Sequence, residues 1–251
     1  MHEVHPARSR KTRASDGHRR GHTPGQDGGR VPDTVRLYAF SPSSITIGRF
    51  QSVRHDVNLE EARRLGIPVV RRITGGGSVF HDEFGGEITY SVVIGEDYHP
   101  ALRNVEESYR YLAGPLVDAL EELGLDAGFS GLNDIVANGK KISGSAQTRR
   151  KGVILQHGTF MYSTRLEVLA RVLRVSKAKL SDKGGVSSIW ERVTTLEREG
   201  GIKMNRWEAY ELLKEKFSAA FGPEEGGTDR LRARTRGEAG GGEVREPPRV
   251  E

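Results

Sequence analysis

An α+β fold, a mixed β-sheet with flanking helices, is what the sequence predicts, and three observations carry that prediction. Short runs rich in β-branched and aromatic residues outnumber the amphipathic stretches that could serve as crossover helices, which argues against a doubly wound parallel sheet. The 251 residues, 35% hydrophobic and 29% charged, are enough to bury a sizeable core. No internal repeat points to a solenoid or propeller.

Taken in order, VRLYAF (35–40) and SITIGRF (44–50) read as strands separated by the turn signal SPS. NLEEARRLG (58–66) reads as a helix with Asn58 as N-cap, Glu60 and Glu61 in the first turn and Gly66 at its end. IPVVRRI and EITYSVVI read as strands on either side of a glycine run. In NVEESYRYLAGPLVDALEELG, apolar residues recur at Val105, Tyr109, Leu112, Leu116, Leu120 and Leu123, the three-and-four spacing of a helix. Gly114-Pro115 is expected to kink or interrupt it. NDIVANGKKISGSA predicts a hairpin turning at Asn138-Gly139. GVILQHGTFMY predicts another strand, while RLEVLARVLRV and NRWEAYELLKEKFSAAF predict helices. Residues 1–30 and 222–251 have few apolar residues and no periodicity, so they read as disordered tails around one domain over 31–221.

The net charge of +5 belongs mostly to the first tail, where seven Lys/Arg and four of the eight histidines stand against three acids. The body is nearly balanced, so nothing there argues for a nucleic-acid partner. No run of 18 apolar residues suggests a membrane span, and the N-terminal stretch has no apolar signal region. The absence of cysteine excludes disulfides, thiolate metal sites and a cysteine nucleophile, and fits a cytoplasmic protein.

Chemistry concentrates in two stretches. RRITGGGSVFHD (71–82) puts three bare peptide units between charged flanks. Successive glycines can present neighbouring N–H groups to phosphate or carboxylate oxygens. It is not a P-loop, and Phe80 stands where the dinucleotide fingerprint needs its third glycine. A glycine-rich turn flanked by surface charge is the alternative. Arg71 and Arg72 end a strand, so alternation sends them to opposite faces and one reaches the loop. His81-Asp82 on its own reads as a structural pair. In the second stretch, Lys140 and Lys141 likewise point oppositely. Ser143 is expected on the face of Lys141, where a lysine could act as a positive point charge; exposed lysines at a hairpin tip are the alternative.

Jointly, Arg-Arg-x-x-Gly-Gly-Gly-x-Val-x-His-Asp, then Asn-Asp, then Gly-Lys-Lys-Ile-Ser-Gly-Ser-Ala, then His-Gly-Thr resembles the lipoate–protein ligase A family, from Val35 to about Phe221. The resemblance implies a biotin/lipoate protein ligase-like catalytic domain, related to class II aminoacyl-tRNA synthetases, over 31–221. It implies ATP-dependent activation of lipoate to lipoyl-AMP, with Mg²⁺, and transfer to a lysine of a lipoyl carrier domain, such as 2-oxoacid dehydrogenase E2 or glycine cleavage H protein. By motif position Lys141 would be catalytic. Arg72, Gly75, Gly76, Gly77, Ser78, Val79 and Phe80 would contact the nucleotide. Asn133, Asp134, Ser143, Gly144, Ser145, His81 and His157 would line the adenylate site, with Asp134 helping to hold Mg²⁺. Relatives that move octanoyl groups without ATP form a thioester on a cysteine, a route closed here. A cysteine-free octanoyl or lipoyl transferase of the same fold and a truncated, non-catalytic relative remain as alternatives.

Three departures accompany the resemblance. A His/Arg/Gly-rich segment stands where the family has an Asn-Met-Ala-x-Asp-Glu-like helix. The accessory domain of the longer ligases is not recognisable after Phe221, which leaves room for a separate accessory subunit. Gly85-Gly86-Glu87 replaces the Gly-Asn that often follows His-Asp.

Overall fold

The computed structural model describes residues 3–5, 33–174 and 192–222, and these adopt the expected mixed α+β architecture. Seven strands lie side by side in the order β1 (Glu3–His5), β2 (Thr34–Tyr38), β6 (Glu87–Gly95), β10 (Val153–Met161), β9 (Lys140–Arg150), β8 (Asp134–Ala137) and β7 (Ala127–Ser130). Neighbours are antiparallel except β1 with β2. A smaller sheet orders β4 (Val69–Arg71), β3 (Ser44–Ile47) and β5 (Val79–His81), with β3 parallel to β4 and antiparallel to β5. β1 falls where the composition predicts no regular structure; the remainder of 1–30 and all of 223–251 lie outside the described residues.

Alternation along the strands decides what each face of the large sheet meets. On β6, Ile88, Tyr90, Val92 and Ile94 turn toward α3 (Val105–Glu122) and α6 (Arg206–Phe221), which cover them with Leu112, Leu116, Leu120, Leu213, Phe217 and Phe221. Full burial of one such leucine contributes about 2 kcal/mol. The opposite face takes Glu87, Thr89 and Ser91, and β10 sets Thr159 and His157 beside Thr89 and Ser91. These polar residues are buried too, because the smaller sheet covers them. That sheet has its own core of Ile45, Ile47, Ala62, Ile67, Phe80, Leu166, Leu169 and Val172, with α2 (Leu59–Arg64) and α4 (Leu166–Val172).

Local signals place these elements. The Asn58 side chain accepts the Glu61 N–H at the start of α2, and Asn205 opens α6 in a reciprocal capping box with Glu208. The hairpin turns at Asn138 and Gly139, with φ of 48° and 79°, the left-handed pair a tight hairpin requires. Helix α3, however, runs through Gly114-Pro115 without interruption. Pro115 is itself buried, and the flanking Leu112, Ala113, Leu116 and Ala119 pack on the sheet. Their burial outweighs the roughly 3 kcal/mol that an internal proline costs. Helix α4 ends earlier than its pattern suggests, because Leu173 bridges to Val57.

Candidate active site

The glycine run connects β4 to β5 across the polar face of the large sheet, and Arg72 holds it from beneath. Arg72 is 3% exposed. Its guanidinium donates to the carbonyls of Gly75 at 2.6 Å, Gly77 at 2.7 Å and Thr46 at 3.2 Å, and its Nε to Thr74 Oγ1 at 3.1 Å. No carboxylate pairs with it among the described residues. Burial lowers its pKa to about 10, so it stays charged at neutral pH. The consequence for the loop follows from peptide planarity. These peptides are trans, so carbonyl and N–H point in opposite directions. With the Gly75 and Gly77 carbonyls turned in to Arg72, the N–H groups of Gly76 and Ser78 turn outward. Gly76 and Gly77 are exposed, and Gly76 has φ +87°, a conformation open to glycine. From the outside, Gly48 lies against the Gly76 carbonyl so closely that any Cβ there would overlap it.

A buried polar network runs behind the loop. Thr74 Oγ1 meets His157 Nε2 at 2.7 Å; an arginine N–H only donates, so the threonine hydroxyl proton is free to point at the histidine. His81 Nε2 meets Thr46 Oγ1 at 3.0 Å, and its Nδ1 meets Glu87 Oε1 at 2.9 Å. Thr89 donates to the same carboxylate, and the Phe40 ring stacks on His81 at 3.8 Å. Next in sequence, Asp82 receives the Arg165 guanidinium and backbone N–H. Burial pushes the Asp82 carboxyl up, but those hydrogen bonds outweigh it and hold the group below its ordinary value.

The lysine side of the site lies on β8 and β9. Lys141 Nζ stands 2.6 Å from Asp134 Oδ1, with the two side chains 37% and 33% exposed. A Cβ built on Gly144 would meet Lys141 Nζ at 2.9 Å, so the ammonium covers that glycine. A Cβ on Gly76 would meet the Ala146 side chain at 3.6 Å. Gly144 and Ala146 are two positions apart on β9, about 7 Å along a strand. Lysine and loop therefore occupy the same wall. Lys140 leaves in another direction and pairs with Glu199 at 3.0 Å, just before α5 (Leu196–Gly200) ends.

The structure redistributes the expected site residues. Gly75, Gly76, Gly77, Ser78, His157, Lys141, Asp134 and Gly144 come together on the polar face. Ser143 does not share the Lys141 face: a bulge opposite Ile135 and Val136 pairs Lys141 with Val136 but Ser143 with the core residue Ile135. Paired residues share a face, so Ser143 turns to the core, where its hydroxyl has no partner among the described residues. Ser145 also faces the helices, 2.8 Å from Tyr90 OH. Phe80 packs in the smaller core, Val79 is half-buried on β5, and His81 sits in the network. Asn133 ties β8 to β9 through the Ser145 carbonyl at 2.7 Å, and Arg72 lies under the loop, bonded to its carbonyls. Thr46, Thr74, Glu87 and Gly48 are contributors that the motifs did not single out. Strict polar alternation in EITYSVV and SITI was the available signal. No cluster of three acidic or histidine side chains able to hold a metal occurs among the described residues. Asp134 alone fits a magnesium ion whose other ligands are nucleotide oxygens and water.

Sheet order, a covered polar face and an outward-facing amide loop beside a lysine are the features of a domain with a candidate anion-binding site. The family model for the lipoyl protein ligase A/B catalytic domain matches residues 25–218, and the chain belongs to that family. It is 36% identical over 216 residues to an octanoyltransferase LipM of Kyrpidia tusciae and 31% identical over 216 residues to one of Brevibacillus brevis, covering 77% of each chain in both cases. Among solved structures it is similar to a bi-partite lipoate protein ligase from Thermoplasma acidophilum, described with its E2 lipoyl domain. That match has 33% identity and a TM-score of 0.64, covering 76% of this chain and 72% of the other. A lipoate-protein ligase A bound with ATP matches with 29% identity and a TM-score of 0.63, covering 76% and 73%. No described helix is long and apolar enough to cross a membrane.

Proposed function

We propose that this chain attaches a lipoyl or octanoyl group to a lysine of a lipoyl carrier domain, activating the free acid with ATP as an acyl-adenylate. The observation that carries the proposal is the Arg72-held loop, whose Gly76 and Ser78 amides turn outward on the wall occupied by Lys141. In the first step a carboxylate oxygen attacks the α-phosphorus of MgATP and pyrophosphate leaves. Two anions must approach, and the loop amides and the Lys141 ammonium offset their repulsion. In the second step the carrier amine, with an ordinary pKa of about 10.4, gives up its proton to water and attacks the acyl carbon; the acyl–phosphate bond breaks and AMP leaves with its electron pair. Lys141, released from Asp134, stabilises the oxyanion. In the first step Asp134 would be the carboxylate able to hold the magnesium ion of MgATP, which would supply charge neutralisation at the phosphates.

The ATP-bound ligase neighbour supports the nucleotide, and the neighbour described with its E2 lipoyl domain supports an E2 lipoyl domain as the carrier. Its description as bi-partite also supports a separate accessory subunit. The cysteine-free composition agrees with action in the cytoplasm.

The names of the curated relatives favour a second reading, octanoyl transfer from one carrier to another without ATP. A thioester on cysteine is unavailable, since the 251 residues contain none. The carrier lysine would instead attack the bound acyl group directly, with Lys141 at the oxyanion. The mass of an apo-carrier decides between the two. Addition of the acyl group from free lipoate or octanoate, dependent on ATP and Mg²⁺, supports the ligase. Addition only from an octanoyl-carrier overturns it in favour of the transferase.

A further inference from the structure

We propose that the turn of residues 48–56, tipped by Phe50, is the docking surface for the acceptor domain, and that it seats a folded protein domain carrying acidic side chains around its acceptor lysine. The inference rests on the acyl-transfer reading above and names where that site receives its protein substrate. Phe50 is 86% exposed, which leaves a large apolar ring in water. The backbone that displays it is nevertheless firmly held. Arg71 Nη1 donates to the carbonyls of Gly48 at 2.9 Å, Arg49 at 3.0 Å and Gln51 at 2.8 Å. The Gln51 side chain accepts the Gly48 N–H at 2.8 Å. An aromatic ring on a rigid turn loses little freedom when it is covered, the property of an interface anchor.

The turn is also coupled to the amide loop. The Arg49 N–H donates to the Thr74 carbonyl at 2.8 Å, and Gly48 abuts Gly76. A lysine delivered to the loop amides therefore arrives beside Phe50. The charge there is one-sided. Arg49, Arg54 and Arg71 are all exposed, and Asp56 is the only acid in the turn. The Arg49 guanidinium lies 5.6 Å from the centre of the Phe50 ring. Helix α1 (Val53–Asp56) within the turn buries no residue fully, and Val53 packs partly on the smaller core, so packing accounts for Val53 but not for the exposed Arg54. A small acid and a nucleotide need neither an exposed ring nor an arginine rim outside the loop, whereas an acidic domain uses both.

The test uses the full chain with an apo E2 lipoyl domain, comparing wild type with Phe50→Ala and Arg49→Glu. Three quantities are read: the dissociation constant for the carrier by calorimetry, the carrier KM, and adenylate formation trapped by hydroxylamine, a small acceptor that needs no docking. Each variant is expected to weaken carrier binding and raise carrier KM about tenfold. The hydroxylamine-trapped rate and the KM for free acid should stay within about twofold, and the Arg49→Glu effect should shrink at high salt. Unchanged carrier binding, an equal loss with hydroxylamine, or a raised KM for the free acid (which would make Phe50 an acyl-chain contact) overturns the proposal. If wild type makes no adenylate, the ATP reading fails, and the binding comparison still decides the docking surface. If wild type does not bind the carrier at all, the docking proposal fails by itself.

Discussion

Arg72 and Lys141 are the two cations of the site, and they are held in opposite ways. Arg72 is enclosed beneath the loop and, among the described residues, meets only carbonyl and hydroxyl oxygens. Lys141 is more than a third exposed and meets a carboxylate. A buried cation satisfied by neutral acceptors cannot leave them without losing several charge-assisted hydrogen bonds at once. A half-exposed ion pair is worth at most about 1 kcal/mol, so it can exchange partners at little cost. One cation shapes the loop, while the other can exchange its carboxylate partner, as the proposed oxyanion role of Lys141 requires.

That contrast can be broken most forcefully at Arg72. Arg72→Met leaves the carbonyls of Gly75, Gly77 and Thr46 without their donor. It should lower unfolding stability by about 3 kcal/mol in denaturant titration and acyl transfer about 100-fold. A variant with wild-type stability would mean that the loop holds its own shape.

Asp82 extends the comparison to a carboxylate anchored beside the loop. Its pKa lies below the ordinary value, so its contribution to stability is complete above about pH 4. It is lost as pH falls through the folded-state pKa. Because Arg165 is partly exposed, Asp82→Asn should cost about 2 kcal/mol near neutrality. The gap from wild type should narrow as pH falls below about 4; a gap that does not change with pH would assign the loss to packing.

Ser143→Ala gives the smallest effect, with the opposite sign. Removing a buried hydroxyl that lacks a partner should leave activity intact and stability unchanged or raised by up to about 1 kcal/mol. A large loss of activity would return Ser143 to the ligand side of β9.

The course of the chain was largely legible in the sequence. Period-two strands, caps at Asn58 and Asn205, and the Asn138-Gly139 turn all lie where local chemistry puts them. The glycine loop and Lys141 were legible because unusual residue types stand together. What stayed hidden depends on contacts between distant segments. The bulge that turns Ser143 into the core is set by pairing with β8, not by anything within KKISGSA. The buried role of Glu87, Thr89 and Thr46 arises because a second sheet covers a polar strand face that alternation alone would assign to solvent. Arg72 was correctly separated from Arg71, but its commitment to carbonyls follows from a loop path that spacing does not encode. Pro115 shows packing overriding local preference.

The most direct test of the division between a shaping and a reacting cation compares neighbours on one strand. Acyl transfer to an apo-carrier is measured for wild type, Lys140→Ala and Lys141→Ala, supplying both free acid with ATP and an octanoyl-carrier as donors, with unfolding stability recorded for each. The expected result is a loss of about 1,000-fold for Lys141→Ala at near-unchanged stability, with Lys140→Ala within about threefold of wild type. Equal losses in the two variants, or an active Lys141→Ala, would contradict it.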